Sequence, residues 1–147
     1  MQEFLSHSPC DTEKIAEKLA EHLRSGAVIA FVGGLGMGKT RFTAGLARGL
    51  GFKGDVTSPT FALVNEYIGG RLNVWHFDMY RVEGWEDLYS TGFFDYLEAG
   101  GVTVVEWSEN IYSALPEDTI FIEIIPLGDN ERKIIIKGGS SDEITLH

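Results

Sequence analysis

Ala27-Val28-Ile29-Ala30-Phe31-Val32-Gly33-Gly34-Leu35-Gly36-Met37-Gly38-Lys39-Thr40 is the stretch on which the reading of this chain turns. Its first six residues form an uninterrupted apolar run, as expected of a strand buried on both faces. Gly33 to Thr40 then satisfies G-x-x-x-x-G-K-[ST]. Phe42, Leu46 and Leu50 follow at a four-residue period and stop at Gly51, which predicts a helix closed by a glycine cap. Strand, glycine-rich turn and helix in that order make a phosphate cradle. Glycines reach backbone conformations closed to other residues, so that successive N–H groups converge on phosphate oxygens. The helix adds the positive end of its dipole at the same place. Lys39 supplies a point charge for the outer phosphates, and the Thr40 hydroxyl is the right length to ligate Mg²⁺.

Outward from the loop, the pattern predicts an α/β fold, a single-domain P-loop NTPase over 1–147 with a mixed central sheet flanked by helices. Ser8-Pro9-Cys10-Asp11 has the form of a helix start, and Ile15, Leu19 and Leu23 continue it as one apolar stripe until Ser25-Gly26. Phe61 to Tyr67 and Leu72 to Asp78 read as strands joined through Gly69-Gly70. Trp85 to Leu97 is helical in pattern, with a break at Gly92. Val102 to Trp107 is a second buried-strand run, and Thr119 to Ile125 pairs with Lys133 to Lys137 across Gly128-Asp129-Asn130.

A phosphate cradle needs carboxylates for its metal. Asp78 and Glu106 each end a strand run, where a parallel sheet offers them to the nucleotide; an acid in that position also serves as a helix cap or a solvated loop residue. His76 reads as a satisfied, partly buried histidine, Trp75 and Trp107 as core aromatics, and Arg81 as a surface residue.

Charge narrows the function further. The net charge is −10, and from Val82 to Glu131 there are twelve acids and no lysine or arginine. Such a face repels RNA, since nucleic-acid affinity rests on cations that neutralise phosphates. It serves either as a solubilising surface or as a docking face for a basic protein. A small-molecule kinase closes an arginine-bearing lid over its phosphates, and the same stretch offers no basic residue for one. Neither N-K-x-D nor D-x-x-G is present, which counts against a guanine-nucleotide switch. A nucleotide-gated adaptor with little hydrolysis is the remaining alternative. Cys10 is the single cysteine, and no apolar run approaches the length of a membrane span, so a cytoplasmic location is expected.

Four segments in order carry a resemblance: Leu35 to Thr40, Ser58-Pro59-Thr60-Phe61 with Tyr67 after it, His76-Phe77-Asp78-Met79-Tyr80-Arg81, and Val105-Glu106-Trp107. With them, about the first three-quarters of the chain resembles the bacterial tRNA threonylcarbamoyladenosine biosynthesis ATPases of the TsaE family. The resemblance implies an ATP- and Mg²⁺-dependent ATPase, slow alone, needed to place a threonylcarbamoyl group on adenosine 37 of tRNAs reading A-starting codons. It implies action on a TsaD–TsaB complex, in which TsaD performs the transfer, with no direct tRNA binding by this chain alone and no membrane role. Residue by residue, Gly33, Gly34, Leu35, Gly36, Met37, Gly38, Lys39 and Thr40 would hold the nucleotide, with Thr12 and Trp107 near it. Ser58, Pro59, Thr60 and Phe61 would form a switch-like loop by the γ-phosphate. Asp78 and Glu106 would be the catalytic, metal-site acids, sharing the metal with Thr40. Two positions depart from the family pattern: Gly34 stands where Asp is usual, and Met37 where Ala is usual.

Overall fold

The computed structural model of the chain describes residues 1–33, 38–56 and 64–138. Among these residues a sheet of seven strands runs β1 (Gln2–Ser6), β2 (Ala27–Val32), β3 (Val64–Tyr67), β4 (Val74–Asp78), β5 (Val102–Glu106), β6 (Ile120–Pro126) and β7 (Arg132–Gly138) in chain order. Across the sheet the order is β1-β7-β6-β2-β5-β4-β3. The four central strands β6, β2, β5 and β4 are mutually parallel. The outer pairings β3–β4, β6–β7 and β1–β7 are antiparallel. A mixed sheet is therefore present, as the strand runs imply. β2, β4 and β5 are buried along nearly their whole length, because helices cover both faces.

On one face lie α1 (Pro9–Ala20) and α2 (Lys39–Gly49). The start of α1 follows its sequence: the Ser8 side chain accepts from the Asp11 N–H at 3.1 Å, and Asp11 accepts from the His7 N–H at 3.0 Å. The helix ends at Ala20, short of Leu23, which is buried nonetheless. The two helices approach closely through glycine. A Cβ on Gly45 would stand 2.8 Å from the Ala16 Cβ, and one on Gly49 would stand 2.7 Å from the Ala20 Cβ. Arg48 spans the exposed side of this contact, pairing with Glu13 at 3.3 Å and Glu17 at 3.5 Å. Leu19, Phe42, Leu46, Ile29, Phe31, Val102 and Val104 share the core beneath.

The opposite face is covered by α3 (Trp85–Ser90), α4 (Phe93–Glu98) and a 3₁₀-helical stretch over Ser108–Ala114. The period-2 alternation of β5 and β4 divides the cores: Val102, Val104 and Val74 face α1 and α2, whereas Val105, Trp75 and Phe77 pack with Leu88 and Phe93. The break expected at Gly92 is real. That residue has φ 80° and caps α4, so that two short helices replace one.

Two elements differ from the sequence reading. β1 is a strand with no apolar run to announce it, held as an edge by pairing Gln2–Ser6 with Arg132–Ile136. The 3₁₀ stretch after β5 is likewise unannounced. The first three residues of the strand expected from Phe61, like Ser58, Pro59 and Thr60, lie outside the described residues, as do Gly34, Leu35, Gly36 and Met37.

Candidate functional site

In a parallel sheet, ligand-facing residues gather at the carboxyl ends of the strands. Here β2 ends at Val32, directly before the glycine-rich loop, and the register of β4 on β5 sets Asp78 beside Glu106. The loop is bounded by Gly33 (φ 97°) and Gly38 (φ 102°), left-handed conformations that cost a residue with a Cβ about 1 kcal/mol or more. Gly38 also caps α2, and its ideal Cβ would press on Ile124 at 3.3 Å.

Lys39 opens α2 and is buried, its ammonium donating to the Gly33 carbonyl across the loop. Burial depresses its pKa below the usual lysine value, an effect opposed by the negative fields of Glu106, Glu109 and Asp78. One cation thus faces three carboxylates from the ends of two strands and the turn after them. Thr40 follows as the second residue of α2 and is partly exposed.

Glu106 is buried and held on its inner side: His76 Nε2 lies 2.7 Å from Glu106 Oε2, and His76 Nδ1 lies 3.1 Å from the Tyr67 hydroxyl. His76 is completely buried, more so than its sequence position implies, and both of its ring nitrogens are engaged. Asp78 is partly exposed and accepts from the Tyr80 N–H at 2.9 Å. The ends of β4 and β5 stay locked together beyond the strands, since the Met79 N–H donates to the Glu106 carbonyl at 3.0 Å.

The turn after β5 ties the site to the rest of the sheet. Trp107 has φ 58° and ψ 43°, a left-handed backbone that stores about 1–3 kcal/mol in a non-glycine residue and among the described residues is confined to this one. The strain is held by its neighbours. Ser108 Oγ donates to the Phe31 carbonyl at 2.7 Å, and Asn110 Nδ2 donates to the carbonyls of Met79 at 2.8 Å and Tyr80 at 3.2 Å. The Trp107 ring leans on Tyr80 at 4.8 Å between centroids, so it flanks the acids rather than sitting wholly in the core. His76, read from the sequence as a satisfied histidine, is satisfied by Glu106 and Tyr67, whereas Ser108, Glu109 and Asn110 are neighbours of the site that the sequence reading does not name. Their signal was proximity to Glu106 in the chain.

Thr12 is brought to the other side of the loop. It is buried in the first turn of α1, with its hydroxyl 2.7 Å from that of Ser6. A cavity of about 190 Å³ opens beside it, lined also by Gly38, Arg41, Asn130 and Arg132. Thr12 and the end of the loop therefore share one hollow, while Trp107 stands apart on the carboxylate side.

The donor set suits a hard, oxygen-loving cation. Among the described residues no three His, Cys, Asp or Glu side chains cluster to hold a metal unaided. Two carboxylates and a hydroxyl beside a phosphate cradle are the set Mg²⁺ takes when phosphates complete its shell.

Fold and site define an α/β protein built round a glycine-rich loop, its buried lysine and two strand-end carboxylates. The chain belongs to the TsaE family, because residues 6–134 match the family described as threonylcarbamoyl adenosine biosynthesis protein TsaE. It is similar to the tRNA threonylcarbamoyladenosine biosynthesis protein TsaE of Treponema pallidum, 39% identical over 132 residues, covering 90% of this chain and 97% of that protein. The protein of the same name from Bacillus subtilis is 40% identical over 127 residues, 86% of this chain and 79% of that one. Among solved structures, Bacillus subtilis YdiB superposes with a TM-score of 0.76 at 34% identity, over 95% of this chain and 86% of that one. The family places the chain in tRNA threonylcarbamoyladenosine biosynthesis. Among the described residues no helix is long and apolar enough to cross a membrane.

Proposed function

We propose that the chain binds ATP with Mg²⁺ and hydrolyses it while docked on a TsaD–TsaB complex, in support of threonylcarbamoylation of adenosine 37. The observation that carries this reading is the convergence of Lys39, Asp78 and Glu106 on the end of the glycine-rich loop. Backbone N–H groups from Gly33 to Thr40 hold the phosphates, and Lys39 exchanges its Gly33 carbonyl for the outer phosphate oxygens. The hollow beside Thr12 and Gly38 takes the nucleoside end. Thr40, Asp78 and Glu106 would hold the Mg²⁺, which when bound neutralises charge on the phosphates. Glu106, fixed from behind by His76, orients the attacking water in line with the terminal phosphorus. Ser58 to Phe61 are proposed to close over that phosphate as a switch, and Trp107 to flank it. The setting is proposed to be cytoplasmic.

The deciding experiment measures ATP turnover by the protein alone, with a TsaD–TsaB pair, and with candidate small-molecule acceptors. Stimulation by the protein pair and by no acceptor is the expected result. Phosphoryl transfer to a small acceptor would replace this reading with a kinase, and tight ATP binding with no turnover in any arm would replace it with an adaptor.

A further inference from the structure

The surface made by α3 and α4 is aromatic where it meets solvent. Trp85 is 54% exposed and Tyr89 66% exposed, both large apolar side chains on a helix of six residues. Their rings form one cluster with Phe94: Trp85 stacks on Phe94 at 6.1 Å with planes 10° apart, and Tyr89 reaches Phe94 at 4.9 Å. Aromatic groups grouped in this way at a surface mark recognition sites rather than ordinary exposure. Beside Trp85 a small hollow of about 60 Å³ opens between Leu88, Asn110, Ile111 and Ala114, large enough for the tip of one apolar side chain.

The rim of this patch has one sign. Glu83, Glu86, Asp87 and Asp95 are exposed on the same two helices and the turn before them. No lysine or arginine occurs between Val82 and Glu131, Arg81 being the last before the patch. Charge then selects the occupant. RNA and anionic membranes are repelled, and so is a second copy of this chain, which would bring the same acids to the same face. A protein segment that sets lysine or arginine around an apolar anchor satisfies both the rings and the rim.

The patch is also wired to the site. Asn110 lines the hollow and donates to the Met79 and Tyr80 carbonyls, in the turn whose Tyr80 N–H fixes Asp78. We propose that the Trp85–Tyr89–Phe94 patch is the docking surface for a basic, apolar segment of a protein partner, and that its occupant sets the turn carrying Asp78. The proposal rests on the reading that the chain works docked on a protein, and it names the surface.

Two double variants test it, Trp85→Ser with Tyr89→Ser and Glu86→Lys with Asp95→Lys. All four side chains are exposed, so circular dichroism and ATP affinity are expected to match the parent. Calorimetry against a TsaD–TsaB pair is expected to show binding weakened about tenfold or more in each variant, with stimulated turnover falling in step. Parental affinity in both variants overturns the proposal. If the parent itself does not bind the pair, the functional reading fails, and a second probe still decides the surface. That probe is a short synthetic peptide of alternating lysine and leucine, with a lysine–serine peptide as control. Leucine-dependent binding by the parent, lost in both variants, upholds the surface; equal binding by parent and variants, or none by the parent, overturns it. Self-association of the parent abolished by Trp85→Ser with Tyr89→Ser assigns the patch to a second copy and also overturns it.

Discussion

Lys39 is the residue on which the nucleotide reading stands or falls. Its ammonium is buried against the Gly33 carbonyl, and ATP phosphates would replace a neutral acceptor with a charged one. Lys39→Ala is therefore expected to weaken ATP binding by at least about thirtyfold, the equivalent of about 2 kcal/mol or more for a lost charge partner. Full-strength calorimetric binding by that variant would remove the phosphate role. A pH dependence follows from the same burial. The lysine's pKa lies below its ordinary 10.5 in the folded chain, so the unfolded chain binds more protons in the window between the two values. Stability contributed by this group thus rises with pH through that window, while affinity for ATP falls as the ammonium loses its proton. Calorimetry in alkaline buffers of differing ionisation enthalpy is expected to show proton uptake on binding. Glu106 predicts a different outcome. It ends β5, where the metal is proposed to sit, and is not in the loop, so Glu106→Ala is expected to keep ATP affinity while turnover drops about a hundredfold or more. Unchanged partner-stimulated turnover in that variant would leave Glu106 with no catalytic part.

Elements of this fold differ in how far their own residues announce them, and the difference tracks how local their stabilisation is. β2, the loop and α2 are contiguous, and each carries its own pattern of apolar run, glycines and four-residue period. β1 carries none. Its Phe4 packs inward between partly polar neighbours, and it exists because β7, more than a hundred residues later, supplies its hydrogen bonds. The bond of His76 to Glu106 is similarly hidden, since thirty residues separate them and only the parallel register of β4 on β5 unites them. Asp78 and Glu106 were legible as strand ends; Ser108 and Asn110, which brace them, were not, because their partners are backbone carbonyls distant in the chain, in β2 and in the turn after β4. The α1–α2 contact gives this scale its prediction. Gly45→Val would drive methyl groups into the Glu13 backbone and Ala16, where helix backbones cannot easily part. A loss of about 1–3 kcal/mol is expected, read as a fall of several degrees in Tm. Gly128→Ala, at a site with nothing within 4 Å of its added Cβ, is the control and should leave Tm nearly unchanged.

Across the whole molecule the distribution of charge is expected to keep the pathway's RNA from this chain. Twelve acids and no lysine or arginine occupy Val82 to Glu131, which supplies α3, α4, β5, the 3₁₀ turn and β6. The 12 basic residues of the chain lie before and after that span, and several are already spent: Arg48 on Glu13 and Glu17, Lys133 on Glu3, Lys39 inside the loop. A tRNA approaching the carboxylate end would meet carboxylates instead of the cations that release its counterions. The chain is thus expected to show no sub-micromolar affinity for isolated tRNA at physiological salt, in a gel-shift or anisotropy titration. Lowering the salt separates two causes of such a result. A weak basic site elsewhere would gain affinity steeply as counterions thin, with a log–log slope near the number of phosphates contacted. A molecule whose net charge is −10 would show no such gain, because its own field strengthens as screening falls. Tight binding at physiological salt, with that steep slope, would mean that a cationic surface outweighs the acidic face and that the chain touches its RNA directly.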